Sequence, residues 1–199
     1  DLVVAYEALM RPQLPTLRSP LTVMQLASEM GRLYDIEKLT FFRACECYEE
    51  LEAAGKLDAD ALIFVNSIAS VSLSDEDWAS YCEAHSAILP KLVVEITEEE
   101  EMNERELERK RNVPGAIGVF ALDDYGSGYS NGNSLLTIAP KYVKVDIAII
   151  RGIDTDADKQ QFLMTLIDYA HPRGVQVLAE GVETLSELRK VLEMGVDLL

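Results

Sequence analysis

Short apolar runs recur along this chain, and no two-residue hairpin turn joins one to the next. Residues 3–6, 62–65, 91–94, 117–122, 142–143 and 175–179 form these runs. They are too short for helices and read as buried strands. The segments between them carry apolar residues at helical spacing. Strands alternating with helices indicate repeated βα units, hence a mostly parallel sheet with helices outside it. Six runs, with 196–199 as the start of a seventh, favour a (β/α) barrel over a doubly wound sheet. No glycine-rich dinucleotide fingerprint follows the first run.

The helices announce their ends. Ser19-Pro20 supplies an N-cap and a proline at the first helical position, and Gly31 a C-terminal stop. A second helix is predicted from Asp35 to Gly55, with Ile36, Leu39, Phe42 and Cys45 on its apolar face. Acids at Asp75, Glu76 and Asp77 load a helix start, with Trp78 as packing. Residues 99–108 read as a very acidic, solvated helix. Leu135 and Leu136 mark a short helix before Pro140. A long helix over 156–173 turns Phe162, Leu163, Leu166, Ile167 and Ala170 inward and closes at Gly174. Thr184-Leu185-Ser186-Glu187 is a capping box that opens a helix stopped by Gly195.

Composition narrows the chemistry. At 199 residues and 48% hydrophobic, the chain suits one soluble domain with a sizeable core. No run of 18 apolar residues spans a membrane, and no basic leader precedes an apolar stretch. Cys45, Cys47 and Cys82 form no zinc pattern and suit a reducing cytosol. With only His85 and His171, a histidine-rich metal site is excluded. A net charge of −17 repels DNA, RNA and anionic membranes. A small anionic ligand is still compatible, provided bound cations reverse the local field.

The six runs end in residues that coordinate or carry protons: Glu7, Asn66, Glu95, Asp123, Lys144 and Glu180. In a parallel barrel such strand ends converge on one face. Their oxygens suit Mg²⁺ or Mn²⁺. Two acids, Asp123 and Asp124, sit side by side before a loop punctuated by Gly126 and Gly128. Adjacent carboxylates there call for a cation between them. Asp124 and Glu180 are placed to hold a second ion, and two ions about 4 Å apart suit phosphoryl displacement. Lys144 adds a positive charge near the nucleophile or phosphate. Arg11 is placed to fork onto phosphate oxygens, or to form a rim ion pair.

Glu7-Ala8-Leu9, Asn66, Glu95-Ile96-Thr97-Glu98, Asp123-Asp124-Tyr125-Gly126-Ser127-Gly128-Tyr129-Ser130, Lys144-Val145-Asp146 and Glu180-Gly181-Val182-Glu183 resemble, in order, the motif series of the EAL-domain cyclic di-GMP phosphodiesterases. The resemblance implies a modified TIM barrel, of the (β/α)8 type, whose first strand is antiparallel. It implies hydrolysis of cyclic di-GMP to linear 5′-pGpG. By the same resemblance Glu7, Asn66, Glu95 and Asp123 ligate one Mg²⁺ or Mn²⁺, and Asp123 bridges to a second held by Asp124 and Glu180. Glu180 is also the candidate general base, and Lys144 positions the attacking water. Glu183 supports the site, Arg11 touches the dinucleotide, and Glu98 anchors the loop 124–131, which contributes to homodimer contacts. The family has a strand before Glu7 and continues Gly195-Val196-Asp197 with one carrying Gln-Gly. Residues 1–199 are therefore expected to be a single EAL-type domain truncated at both ends. The family setting is the bacterial cytoplasm, with regulatory domains in the parent protein. Two alternatives stay open: a receptor that holds cyclic di-GMP without cutting it, and a Mg²⁺ barrel in which Lys144 abstracts a proton beside a carboxylate. The adjacent aspartates before a glycine-rich loop argue against both.

Overall fold

A computed structural model describes residues 3–14, 16–58, 60–97, 104–111, 119–127 and 133–199. The chain divides into two compact units, Asp1–Glu95 with Glu101–Val119 and Ile96–Glu100 with Phe120–Leu199. Every strand pairing assigned within either unit is parallel.

The first unit carries β1 (Ala5–Ala8), α1 (Pro20–Glu29), α2 (Leu33–Ala53), β2 (Leu62–Asn66), α3 (Asp75–Ala84), most of β3 (Leu92–Thr97) and α4 (Glu104–Arg111). Strand β2 lies between β1 and β3, with Glu7 opposite Phe64 and Asn66 opposite Glu95. Strand side chains alternate between faces. Glu7, Phe64, Asn66 and Glu95 therefore share one face of this ladder. The strand carrying Glu7 is parallel to its neighbour, so the antiparallel first strand implied by the resemblance is not among the described strands. Phe41, Trp78 and Tyr81 form an edge-to-face cluster with ring centroids 5.4–5.8 Å apart. Trp78 is buried packing, as its sequence context predicts.

Helix α2 departs from the expected face. Its buried residues are Glu37, Phe41, Ala44, Cys45 and Tyr48. Leu39, expected inside, is 58% exposed. The inward stripe runs through Glu37, a charge that apolar periodicity discounts. Helix α4 also differs from a wholly solvated face, because it buries Leu107 and Lys110. The sequence before Glu104 in that predicted helix, residues 99–103, lies outside the described residues.

The second unit carries β4 (Phe120–Tyr125), α5 (Asn133–Ile138), β5 (Tyr142–Val145), α6 (Ile147–Ile150), α7 (Ala157–Ala170), β6 (Gln176–Ala179) and α8 (Leu185–Met194). Leu163, Leu166, Ile167 and Ala170 of α7 are buried as expected. The capping box at the start of α8 is complete: Thr184 accepts from the Glu187 N–H, and the Glu187 carboxylate accepts from the Thr184 N–H. Leu198 bridges in parallel to Leu178, the start of the expected seventh strand. No helix of the described residues is long and apolar enough to cross a membrane.

Candidate metal centre

In the first unit, parallel register brings Glu7, Asn66 and Glu95 together. The Asn66 Nδ2 donates to Glu7 Oε1 at 3.3 Å and to Glu95 Oε2 at 3.2 Å. Glu7 and Glu95 each offer an oxygen within 4.8 Å of the other. Glu95 is fully buried, whereas Glu7 is exposed. The partly positive amide nitrogen thus lies between two carboxylates. A divalent cation suits the same donor set, with Asn66 presenting its carbonyl oxygen instead.

In the second unit, one irregularity in the strand decides the geometry. Ala121 and Leu122 pair with Tyr142 and Val143, but Tyr125 pairs with Val145, so β4 holds one more residue than β5 across this interval. Such a bulge re-aims side chains next to it. Asp124 lies at the bulge with φ +55°, the left-handed region. Aspartate tolerates that region better than most residues. In a regular strand adjacent residues face opposite sides. Here Asp123, Asp124 and Glu180 each bring an oxygen within 4.8 Å of the others. Lys144, on the neighbouring strand, places Nζ 2.9 Å from Asp123 Oδ1 and 2.9 Å from Glu180 Oε1. Asp123 and Lys144 are buried, and Asp124 and Glu180 half-buried. The ammonium compensates two acids, while the three carboxylates form an oxygen shell suited to Mg²⁺ or Mn²⁺.

Gly126 and Gly181 flank this cluster. Gly181 follows Glu180 directly and has φ +64°, and a Cβ there would lie 2.5 Å from the Ile147 side chain. Gly126 has φ +98°, and its Cβ would lie 2.7 Å from Ile149.

Arg11 and Glu183 are engaged elsewhere. Arg11 is exposed and donates to the Met10 carbonyl. Glu183 pairs with Arg151, whose hydrogen bond and charge hold the Glu183 carboxyl below the usual carboxylate range. Glu98 and residues 128–131 of the loop lie outside the described residues. A buried trio of Glu37, Ser67 and Lys110 next to Asn66 escaped the sequence reading. The only sequence signal for it was a charge on the inward stripe of α2.

A family model for the EAL domain matches residues 1–199. The probable cyclic di-GMP phosphodiesterase PdeG of Escherichia coli (strain K12) is 27% identical over 175 residues, covering 85% of this chain and 34% of that protein. The signaling protein YkoW of Bacillus subtilis (strain 168) is 27% identical over 199 residues, covering 96% of this chain and 24% of that protein. The chain therefore spans only about a quarter to a third of the length of these curated relatives. Among solved structures, a standalone versatile EAL protein from Vibrio cholerae O395 in its c-di-GMP bound form matches with TM-score 0.75 and 25% identity, over 98% of this chain and 81% of that one. Klebsiella pneumoniae BlrP1 in a calcium/cy-diGMP complex matches with TM-score 0.76 and 22% identity, over 97% of this chain and 48% of that one. A manganese/cy-diGMP complex of the same protein gives TM-score 0.75 and 23% identity, over 97% of this chain and 49% of that one. The fold is thus the TIM-barrel-like α/β fold of EAL domains, as the alternation of runs and helices indicated.

Proposed function

This chain belongs to the EAL-domain family, and we propose that it is a metal-dependent phosphodiesterase hydrolysing cyclic di-GMP to linear 5′-pGpG. The observation that carries the reading is the bulge at Asp124. It gathers Asp123, Asp124 and Glu180 around Lys144. A receptor that only holds its ligand has no need of such a cluster.

In this reading Glu7, Asn66, Glu95 and Asp123 hold one Mg²⁺ or Mn²⁺, and Asp123, Asp124 and Glu180 hold a second. Cations held there would neutralise phosphodiester charge and lower the pKa of a water so that it attacks as hydroxide. Lys144 orients that water from its place between Asp123 and Glu180. Glu180 accepts a proton at its carboxylate as the water oxygen bonds to phosphorus; the P–O bond to one ribose 3′ oxygen breaks, and that oxygen takes a proton from solvent to leave as a hydroxyl. Arg11 contacts the dinucleotide phosphates, and Glu183 steadies the turn after Glu180. Glu98 anchors the loop 124–131. The active form is a homodimer in the bacterial cytoplasm, with regulatory domains in the parent protein.

The test is incubation of cyclic di-GMP with the protein and Mg²⁺ or Mn²⁺, with pGpG read by chromatography. Turnover is expected with either ion and is expected to be lost in Glu7→Ala and Asp123→Asn. Tight calorimetric binding of cyclic di-GMP without turnover would make the protein a receptor and refute hydrolysis.

A further inference from the structure

The geometry points to Lys110 as a positioning residue that, through Glu37 and Ser67, fixes the end of β2 and so aims Asn66 between Glu7 and Glu95. Lys110 and Glu37 are 4% and 1% exposed. Such charges persist inside a protein only when paired and hydrogen-bonded. The Lys110 Nζ donates to Glu37 Oε1 at 2.7 Å and to Ser67 Oγ at 2.6 Å. The Ser67 hydroxyl donates to Glu37 Oε1 at 2.6 Å, and the Ile68 N–H donates to Glu37 Oε2 at 2.8 Å. The Ser67 N–H donates to the Glu95 carbonyl at 2.9 Å.

Both residues that follow Asn66 are therefore held by one buried ion pair. The backbone leaving β2 has little freedom, and the orientation of the Asn66 amide follows from it. The Lys110 ammonium bonds to Glu37 and Ser67. It acts through Ser67, as groups behind metal ligands do when they orient the ligands themselves. A buried ion pair is a poor source of stability compared with apolar packing. That favours an orienting role for this one.

The inference rests on the metal-ligating role proposed for Asn66, so its primary readout needs neither metal nor turnover. Lys110→Met alone would leave Glu37 unpaired, and Glu37→Gln/Lys110→Met removes both charges together. Asn66 side-chain amide signals in ¹⁵N–¹H spectra of the full chain are assigned by their loss in Asn66→Ser. In the double variant these signals are expected to move to the position of a solvated asparagine while the rest of the spectrum stays dispersed. The Mn²⁺ dissociation constant, by calorimetry with the metal alone, is expected to rise roughly 10- to 100-fold. A folded double variant with unchanged Asn66 signals and unchanged Mn²⁺ affinity would overturn the inference. Ser67→Ala, which removes only the hydroxyl, carries the same test should the double variant fail to fold. Absence of turnover in the parent would sink the phosphodiesterase reading and leave the Asn66 comparison standing.

Discussion

Gly181→Ala separates backbone strain from side-chain crowding at the residue that follows Glu180. The glycine has φ +64°, and its added Cβ would meet Ile147 Cγ1 and Cδ1 at 2.5 Å. A residue with a Cβ in the left-handed region costs roughly 1–2 kcal/mol. Overpacking adds about 1–3 kcal/mol. Ile147 is 41% exposed, so it can swing outward, and the lower end of the second range applies. Gly181→Ala is then expected to destabilise by about 2–3 kcal/mol, lowering the melting temperature by roughly 4–12 °C for a chain of this size. Combining it with Ile147→Ala removes the two 2.5 Å contacts and leaves the backbone strain with a single 3.0 Å contact to the Cβ of residue 147. Urea denaturation of the parent, both single variants and the double variant is expected to show a coupling of about 1 kcal/mol. Turnover should fall in Gly181→Ala and partly recover in the pair, because the displaced turn carries Glu180. Unchanged stability in Gly181→Ala, or strictly additive penalties, would refute the reasoning.

Asp124→Asn keeps a side chain that tolerates the left-handed region, so it should stay as stable as the parent to within about 1 kcal/mol. Asp124→Ala should lose roughly 1 kcal/mol more, and calorimetry should show weakened Mn²⁺ binding in both. A cation that binds only the folded chain stabilises it by about 2.7 kcal/mol at a hundred times its dissociation constant. Mn²⁺ should therefore raise the melting temperature, a chelator should reverse the rise, and Asp123→Asn should abolish it. The Glu187 carboxylate accepts from the N–H groups of Gly152, Glu183 and Thr184. Those bonds, with Gly152 the largest contribution, hold its pKa down to about 2 from 4.5. A depressed carboxyl pKa stabilises fully above the unfolded value and loses that contribution as pH falls through the folded one. The urea midpoint of the parent should exceed that of Glu187→Gln above pH 5, and the gap should close between pH 4.5 and 2.

Local signals proved readable where a few neighbouring residues suffice. The Thr184–Glu187 capping box and the inward residues of α7 both depend on spacing of three or four. The strand-end residues were readable for a related reason: a polar side chain that interrupts an apolar run is visible without knowing its partner. Those interruptions did not end the strands. Glu95 and Asp123 both lie inside ladders that continue past them, because backbone pairing is indifferent to side-chain charge. Glu37 gives no local signal, because its partner lies 73 residues away, on a helix whose other charges are mostly exposed.

By itself the sequence determined the βα alternation, the starts of α1, α7 and α8 and the set of oxygen-bearing residues, since each follows from periodicity, capping or composition over a short span. The tertiary structure alone decided how those residues face one another. The register that sets Asn66 beside Glu95, the bulge that brings Asp124 to the side of Asp123, and the burial of Lys110 against Glu37 all depend on pairing between distant segments. Such pairing is chosen by packing of the whole chain, and no local stretch of residues encodes it.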